Sequence, residues 1–164
     1  RTSTPNYAGF AFDAHVKHAL ERLSQDGYPI APTRFRSGSL WGGQSYRTSD
    51  WNNVIFYDLM GRTEAEIDGL YEFVYDGQVV PVAFEISHSI DTVRQLPRKE
   101  EYVKRLYGSP PYVCTVSFNG FNVPPAVHHH KRASQHTSIK IPRRDFRPLA
   151  GRLRRLASQI HTES

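Results

Sequence analysis

Cysteine is nearly missing from these 164 residues: Cys114 stands alone, which excludes an intramolecular disulfide and any cysteine-based zinc cluster. A lone thiol favours a reducing compartment. Long apolar runs are missing too, since no stretch approaches the ~18 residues a membrane span needs, and no signal-peptide pattern opens the chain. A soluble, cytoplasmic protein with no membrane partner is the expectation. The chain begins at Arg1 rather than Met, which leaves a processed chain, a trimmed chain and an excised domain all open. No Gly-x-Ser-x-Gly elbow, P-loop or dinucleotide fingerprint occurs, so acyl transfer, NTP hydrolysis and Rossmann chemistry have no support. Internal repeats and low-complexity tracts are absent.

What is present suffices for a core. The chain is 38% hydrophobic and 12% aromatic, too apolar for disorder, and its length is that of one domain of ~100–200 residues. Charge is distributed unevenly. Residues 1–127 carry 12 basic and 14 acidic side chains, while 128–164 carry 9 basic and 2 acidic, so the whole net charge of +5 comes from the C-terminal stretch. Its cations, Lys131, Arg132, Lys140, Arg143, Arg144, Arg147, Arg152, Arg154 and Arg155, form a candidate footprint for a polyanion, nucleic acid first among them. A merely solvated charged tail is the plain alternative. The natural division is therefore a core over 1–127 and a basic C-terminal extension over 128–164, in the same domain or appended.

Apolar spacing supplies the elements. Phe12, Val16, Ala19, Leu20 and Leu23 fall on one helical face, and Gly27 stops that helix. Residues 31–53 are rich in Gly, Ser, Arg and Asn and read as a loop or irregular connection with room for a short strand. Strands are expected over 53–60, 65–75, 78–87 and 112–118, with Asp76-Gly77 turning the middle two into a hairpin. A helix through Leu106 is expected to be capped by Ser89 or Asp91, with Pro97 giving it a kink or a late start, and a loop covers 119–125. Leu149, Leu153, Leu156 and Ile160 predict a final amphipathic helix with arginines between its apolar positions.

The hairpin concentrates carboxylates. Asp68 lies on its first strand and Glu85 on its second, with sixteen residues between them and Glu64 and Glu66 close upstream. Alternation puts Glu85 and Ser87 on one face and Phe84 and Ile86 on the other. One Glu at the end of an apolar strand is most simply a salt bridge or a solvated strand end. Two carboxylates on adjacent strands repel, and a hard divalent cation is the usual remedy.

These residues, in the order helix, strand with Asp (EIDGLY), turn, strand with Glu-x-Ser (VAFEIS), helix, strand (YVCTVSF), resemble the PD-(D/E)XK, or restriction-endonuclease-like, nuclease superfamily over about residues 10–120. The resemblance implies an α/β fold with an αβββαβ core, a mixed central sheet flanked by helices, and here a basic C-terminal helix. It further implies magnesium or manganese as cofactor and phosphodiester hydrolysis in nucleic acid, DNA ahead of RNA. By the resemblance Asp68 and Glu85 match the metal-binding acids, the Ile86 carbonyl completes the metal shell, and Asp13 matches an acid many members carry on the first helix. Gln95 and Tyr102 match, at longer spacing, residues some branches use to orient substrate or the active-site lysine.

Two positions depart from the family pattern. Ile67 replaces the name-giving Pro, and Ser87 replaces the Lys that positions the attacking water and balances developing charge. Arg94, Arg98 and Lys99 are the candidate substitutes, and Arg94 and Lys99 join Asp68, Glu85 and Ser87 in the expected catalytic set. A magnesium-dependent endodeoxyribonuclease of restriction, repair or junction type is the leading expectation, with a homodimer left open. The alternative is a catalytically silent nucleic-acid-binding or assembly module.

The remaining candidates are weaker. His128, His129 and His130 with His136 offer imidazoles, but consecutive histidines cannot converge on one ion from a regular element. His15 and His18, one turn apart, lack a third ligand, and His88 beside Ser87 reads equally as surface or as a phosphate contact or proton donor. Trp41, Trp51 and the tyrosines suit base stacking, though most are expected in the core.

Overall fold

A computed structural model describes residues 3–86, 95–118, 136–142 and 145–163. Among them the protein is α/β, with three helices, a five-stranded mixed sheet and a four-stranded antiparallel sheet. Helix α1 (Ser3–Gln25) starts earlier than its apolar stripe and ends as expected, with Gly27 at φ 92° reversing the chain. It is followed by β1 (Ile30–Pro32), β2 (Ser37–Ser39), β3 (Ser45–Thr48), β4 (Val54–Tyr57), β5 (Thr63–Ile67), β6 (Gly69–Tyr75) and β7 (Gln78–Ile86). Then come α2 (Leu96–Tyr107), β8 (Tyr112–Phe118), β9 (His136–Ile141) and α3 (Arg147–Glu163). No helix is long and apolar enough to cross a membrane among these residues.

The mixed sheet runs β1-β6-β7-β8-β9, with β7, β8 and β9 parallel and the other pairs antiparallel. Its hairpin is the expected one: Asp76 (φ 50°) and Gly77 (φ 78°) provide the two left-handed residues of a tight two-residue turn. Pro81, which has no N–H to give, sits opposite Glu72 of β6 and one residue before the β8 ladder begins at Val82. Strands β2 to β5 form a separate meander.

Two expectations need correcting. Residues 31–53 hold three short strands rather than a loop, because pairing with β6 and β4 stabilises Gly- and Ser-rich segments whose own propensity is poor. The strand expected over 65–75 is two strands. It breaks at Asp68, where the chain leaves the meander and enters the mixed sheet.

The sheet separates two cores. Phe12, Val16, Leu20, Phe73, Phe84, Cys114 and Val116 pack with the α3 residues Leu149, Leu153, Leu156 and Ile160 on one face. On the other, Leu70 and Ala83 meet Val54, Phe56, Ile67, Tyr102 and Val103, which joins the meander to α2. Strand β9 and α3 thus lie in the sheet and main core, and Tyr75 donates its hydroxyl proton to the Ala157 carbonyl. The tryptophans are not core: Trp41 is 94% and Trp51 47% exposed, while Tyr46, Tyr71, Tyr102 and Tyr112 are buried.

Candidate active site

The bend at Asp68 determines what meets there. Gly69 pairs with Phe84, so one more step along the same register sets Asp68 across from Glu85. Asp68 Oδ2 accepts the Ile86 backbone N–H at 2.7 Å, which anchors the acid of one strand to the backbone of the other. Gly69 leaves room here for the Tyr71 ring, which a Cβ would approach to 3.1 Å, and lets Lys17 Cε come into ordinary contact at 3.6 Å.

Glu85 is 1% exposed, on the face of β7 that looks toward α2, while Phe84 and Ile86 belong to the opposite core as alternation requires. Lys99 reaches it from the first turn of α2. Its Nζ donates to Glu85 Oε1 at 2.6 Å, and the two side chains are 7% and 1% exposed. Helix α2 starts late, with Pro97 in its first turn, and that start is what brings Lys99 to the sheet. A second buried lysine approaches from α1, where Lys17, 5% exposed, pairs with Asp13 at 3.1 Å.

Electrostatics bind these groups into one cluster. Burial raises the Asp68 carboxyl to about 6; Lys99 and the Ile86 N–H oppose the rise, and the charges of Asp13 and Glu66 add to it. Burial also pushes the Glu85 carboxyl well above the glutamate range, again against Lys99 and with the help of Asp68. The Asp13 carboxyl is raised by burial and held back by Lys17. Lys99 thus serves Asp68 and Glu85 while Lys17 serves Asp13, and the mutual repulsion of Asp68 and Glu85 favours a further cation or bound protons.

The donor set fits a hard divalent ion. Glu85 Oε2 is buried with no hydrogen-bond partner, a costly state for a carboxylate oxygen that a cation would relieve. Among the described residues no three His, Cys, Asp or Glu side chains gather as ligands. Asp68 and Glu85 would thus be the side-chain ligands, with backbone, substrate or water completing an oxygen shell.

The other expected residues divide clearly. Ile86 contributes its N–H to Asp68. Arg98 is drawn away from the carboxylates to Glu64, at 3.5 Å, with its side chain 59% exposed. Tyr102 stacks on Phe56 and donates to Glu64, and Gln95 is the residue preceding α2. Neither joins the Asp68–Glu85 cluster. His15 stacks on Phe146, His18 meets the edge of Trp51, and His136 contacts Thr115. In the basic stretch Arg147 pairs with Asp145 at 2.8 Å, Arg154 and Arg155 are exposed and Arg152 is partly buried. Ser87, His88, Arg94, the loop over 119–125, His128 to His130, Lys131, Arg132, Arg143 and Arg144 lie outside the described residues. Lys17 was not singled out in the sequence, although its i,i+4 spacing from Asp13 is a readable helix ion-pair signal.

Set beside protein-family models, curated proteins and solved structures, the chain matches none of them.

Proposed function

We propose that this chain is a metal-dependent nuclease that hydrolyses phosphodiester bonds in nucleic acid, DNA ahead of RNA, on a restriction-endonuclease-like core. The observation that carries this reading is the buried Lys99–Glu85 pair beside Asp68. The sequence motif lacks its lysine at Ser87, and an ammonium group arrives at the same carboxylate from α2 instead. Chain order adds support: with the β2–β5 meander set aside, α1, β1, β6, β7, α2 and β8 follow one another as αβββαβ.

Asp68 and Glu85 would hold magnesium or manganese, which when bound polarises the scissile phosphate and lowers the pKa of a coordinated water. The chain's own residues prepare the site. The Ile86 N–H fixes Asp68 Oδ2, and Lys99 fixes Glu85 Oε1, so both acids are oriented before a substrate arrives. Lys99 also places a positive charge where negative charge develops on the phosphoryl oxygens. Burial of Glu85 and Lys99 keeps bulk water from screening that charge.

Incubation of plasmid, linear, single-stranded and branched DNA, and of RNA, with Mg²⁺ or Mn²⁺ tests the proposal. Cleavage that requires the metal and disappears in Asp68→Ala and Glu85→Ala is expected. A chain that binds these substrates and leaves all of them intact is the silent binding module instead.

A further inference from the structure

On the far side of α1 from Asp13 and Lys17, a cleft of about 310 Å³ separates α1 from the start of α3. Its walls carry His15, His18 and Arg22 from α1, and Phe146, Arg147 and Arg154 from the α3 side. Asp26 is its single acidic lining residue. Arg147 is already neutralised by Asp145, whose carboxyl the guanidinium holds down at about 2. Arg22 and Arg154 make no ion pair with any described residue. They leave two arginines without an anionic partner on the walls of one concavity, and guanidinium groups suit phosphate oxygens. The stack of His15 on Phe146, with ring centroids 3.9 Å apart, stiffens the wall between them.

We infer that this cleft holds a backbone phosphate of the nucleic-acid strand, away from the bond that is cut. The inference rests on the nuclease reading for the identity of the strand. Position along the helix supports it. Counting 100° and 1.5 Å of rise per residue, Arg22 lies about half a turn round α1 from Asp13 and about 13 Å further along its axis, so the two side chains are separated by roughly 14–18 Å. At about 3.4 Å per nucleotide along one strand of a duplex, that is some four or five phosphates. Arg22 and Arg154 are both exposed, which suits a strand crossing the surface better than a small molecule enclosed by protein. Phosphates carry no base identity, so the contact would set register and affinity without sequence preference.

The test is binding of a labelled DNA duplex in EDTA across a salt series, for the parent chain, Arg22→Ala, Arg154→Ala and, as a control on general charge, Arg62→Ala. Arg62 is an exposed arginine of the turn between β4 and β5, at the other end of the meander from Asp68. Each cleft variant should lose about tenfold in affinity and flatten the log–log salt slope by about 0.9, while Arg62→Ala stays within about threefold of the parent. Equal losses in all three variants, or none in any, would overturn the proposal. So would saturation of the cleft by inorganic phosphate or a mononucleotide at concentrations that leave duplex binding unchanged, since the site would then serve a small anion. Working in EDTA keeps the outcome separate from catalysis. Cleavage without an Arg22 effect ends this inference alone, and an Arg22 effect without cleavage in Mg²⁺ ends only the nuclease reading.

Discussion

Lys99 of α2 and Glu85 of β7 meet at 2.6 Å in a place where neither side chain is more than 7% exposed. A buried pair of this kind costs desolvation of both partners, and losing one partner costs more than losing both. Lys99→Met should therefore lower stability by about 3 kcal/mol in urea unfolding at neutral pH, a loss limited by proton uptake at Glu85. The double variant Lys99→Met/Glu85→Gln should recover much of it. Additive losses in the two singles and the double would mean that the pair is not coupled.

Divalent metal should act through the same acids. Because Glu85 Oε2 is buried without a partner, Mg²⁺ or Mn²⁺ bound there would stabilise the native state over the unfolded chain, and melting temperature should rise with metal concentration. The rise should vanish in Asp68→Asn and Glu85→Gln, as calorimetric titration of the same proteins would verify. A metal-induced shift that persists in both variants would locate the ion elsewhere.

Acid should loosen the protein at a second place. Glu72, 4% exposed, would be raised by burial, but hydrogen bonds from Arg34 and the Tyr107 hydroxyl outweigh it and hold its carboxyl below the glutamate range. With the folded pKa lowered, the unfolded chain binds more protons near that pKa. The stabilisation is thus complete above the unfolded value of about 4.3 and disappears as pH falls through the folded one. Glu72→Gln should be less stable than the parent at neutral pH, and the gap should close below about pH 4. A gap that widens in acid would reverse the sign of this account.

The basic extension is structural as well as charged. Leu149, Leu153, Leu156 and Ile160 are all at most 2% exposed in the main core, so a chain ending at Val127 would lose β9 and this whole helix face. Circular dichroism of that truncated chain should show no cooperative thermal transition. A sharp transition like the parent's would make the extension an appendage.

Much of this arrangement was readable beforehand, wherever a local rule and the tertiary fold agree. Asp76-Gly77 turns the hairpin, Phe84 and Glu85 point to opposite faces, and the stripe from Leu149 to Ile160 docks as its spacing requires. The bend at Asp68 is legible only in part. Asp68-Gly69 interrupts the strand propensity of 65–75 with the same dipeptide that turns the chain at 76–77, but apolar alternation runs across it, and pairing with two different sheets is what divides the segment. Strands β1 to β3 depend in the same way on partners far along the chain. The choice of Lys99 over Arg98 rested on where α2 begins. A helix that starts at Leu96 turns Lys99 to the sheet and leaves Arg98 to Glu64, and neighbouring cations in a sequence carry no mark of that phase.

The central claim is that Asp68, Glu85 and Lys99 form one phosphodiester-cleaving centre. Single-turnover cleavage of the best substrate in Mg²⁺ or Mn²⁺, compared between the parent, Glu85→Ala, Lys99→Met and Lys99→Met/Ser87→Lys, tests it most directly. Glu85→Ala should be inactive, Lys99→Met slower by about 10²–10³-fold, and the double variant partly restored by a lysine at the position where the nuclease motif keeps one. Unchanged rates in Glu85→Ala or Lys99→Met, or no metal-dependent cleavage by the parent chain, would contradict the account.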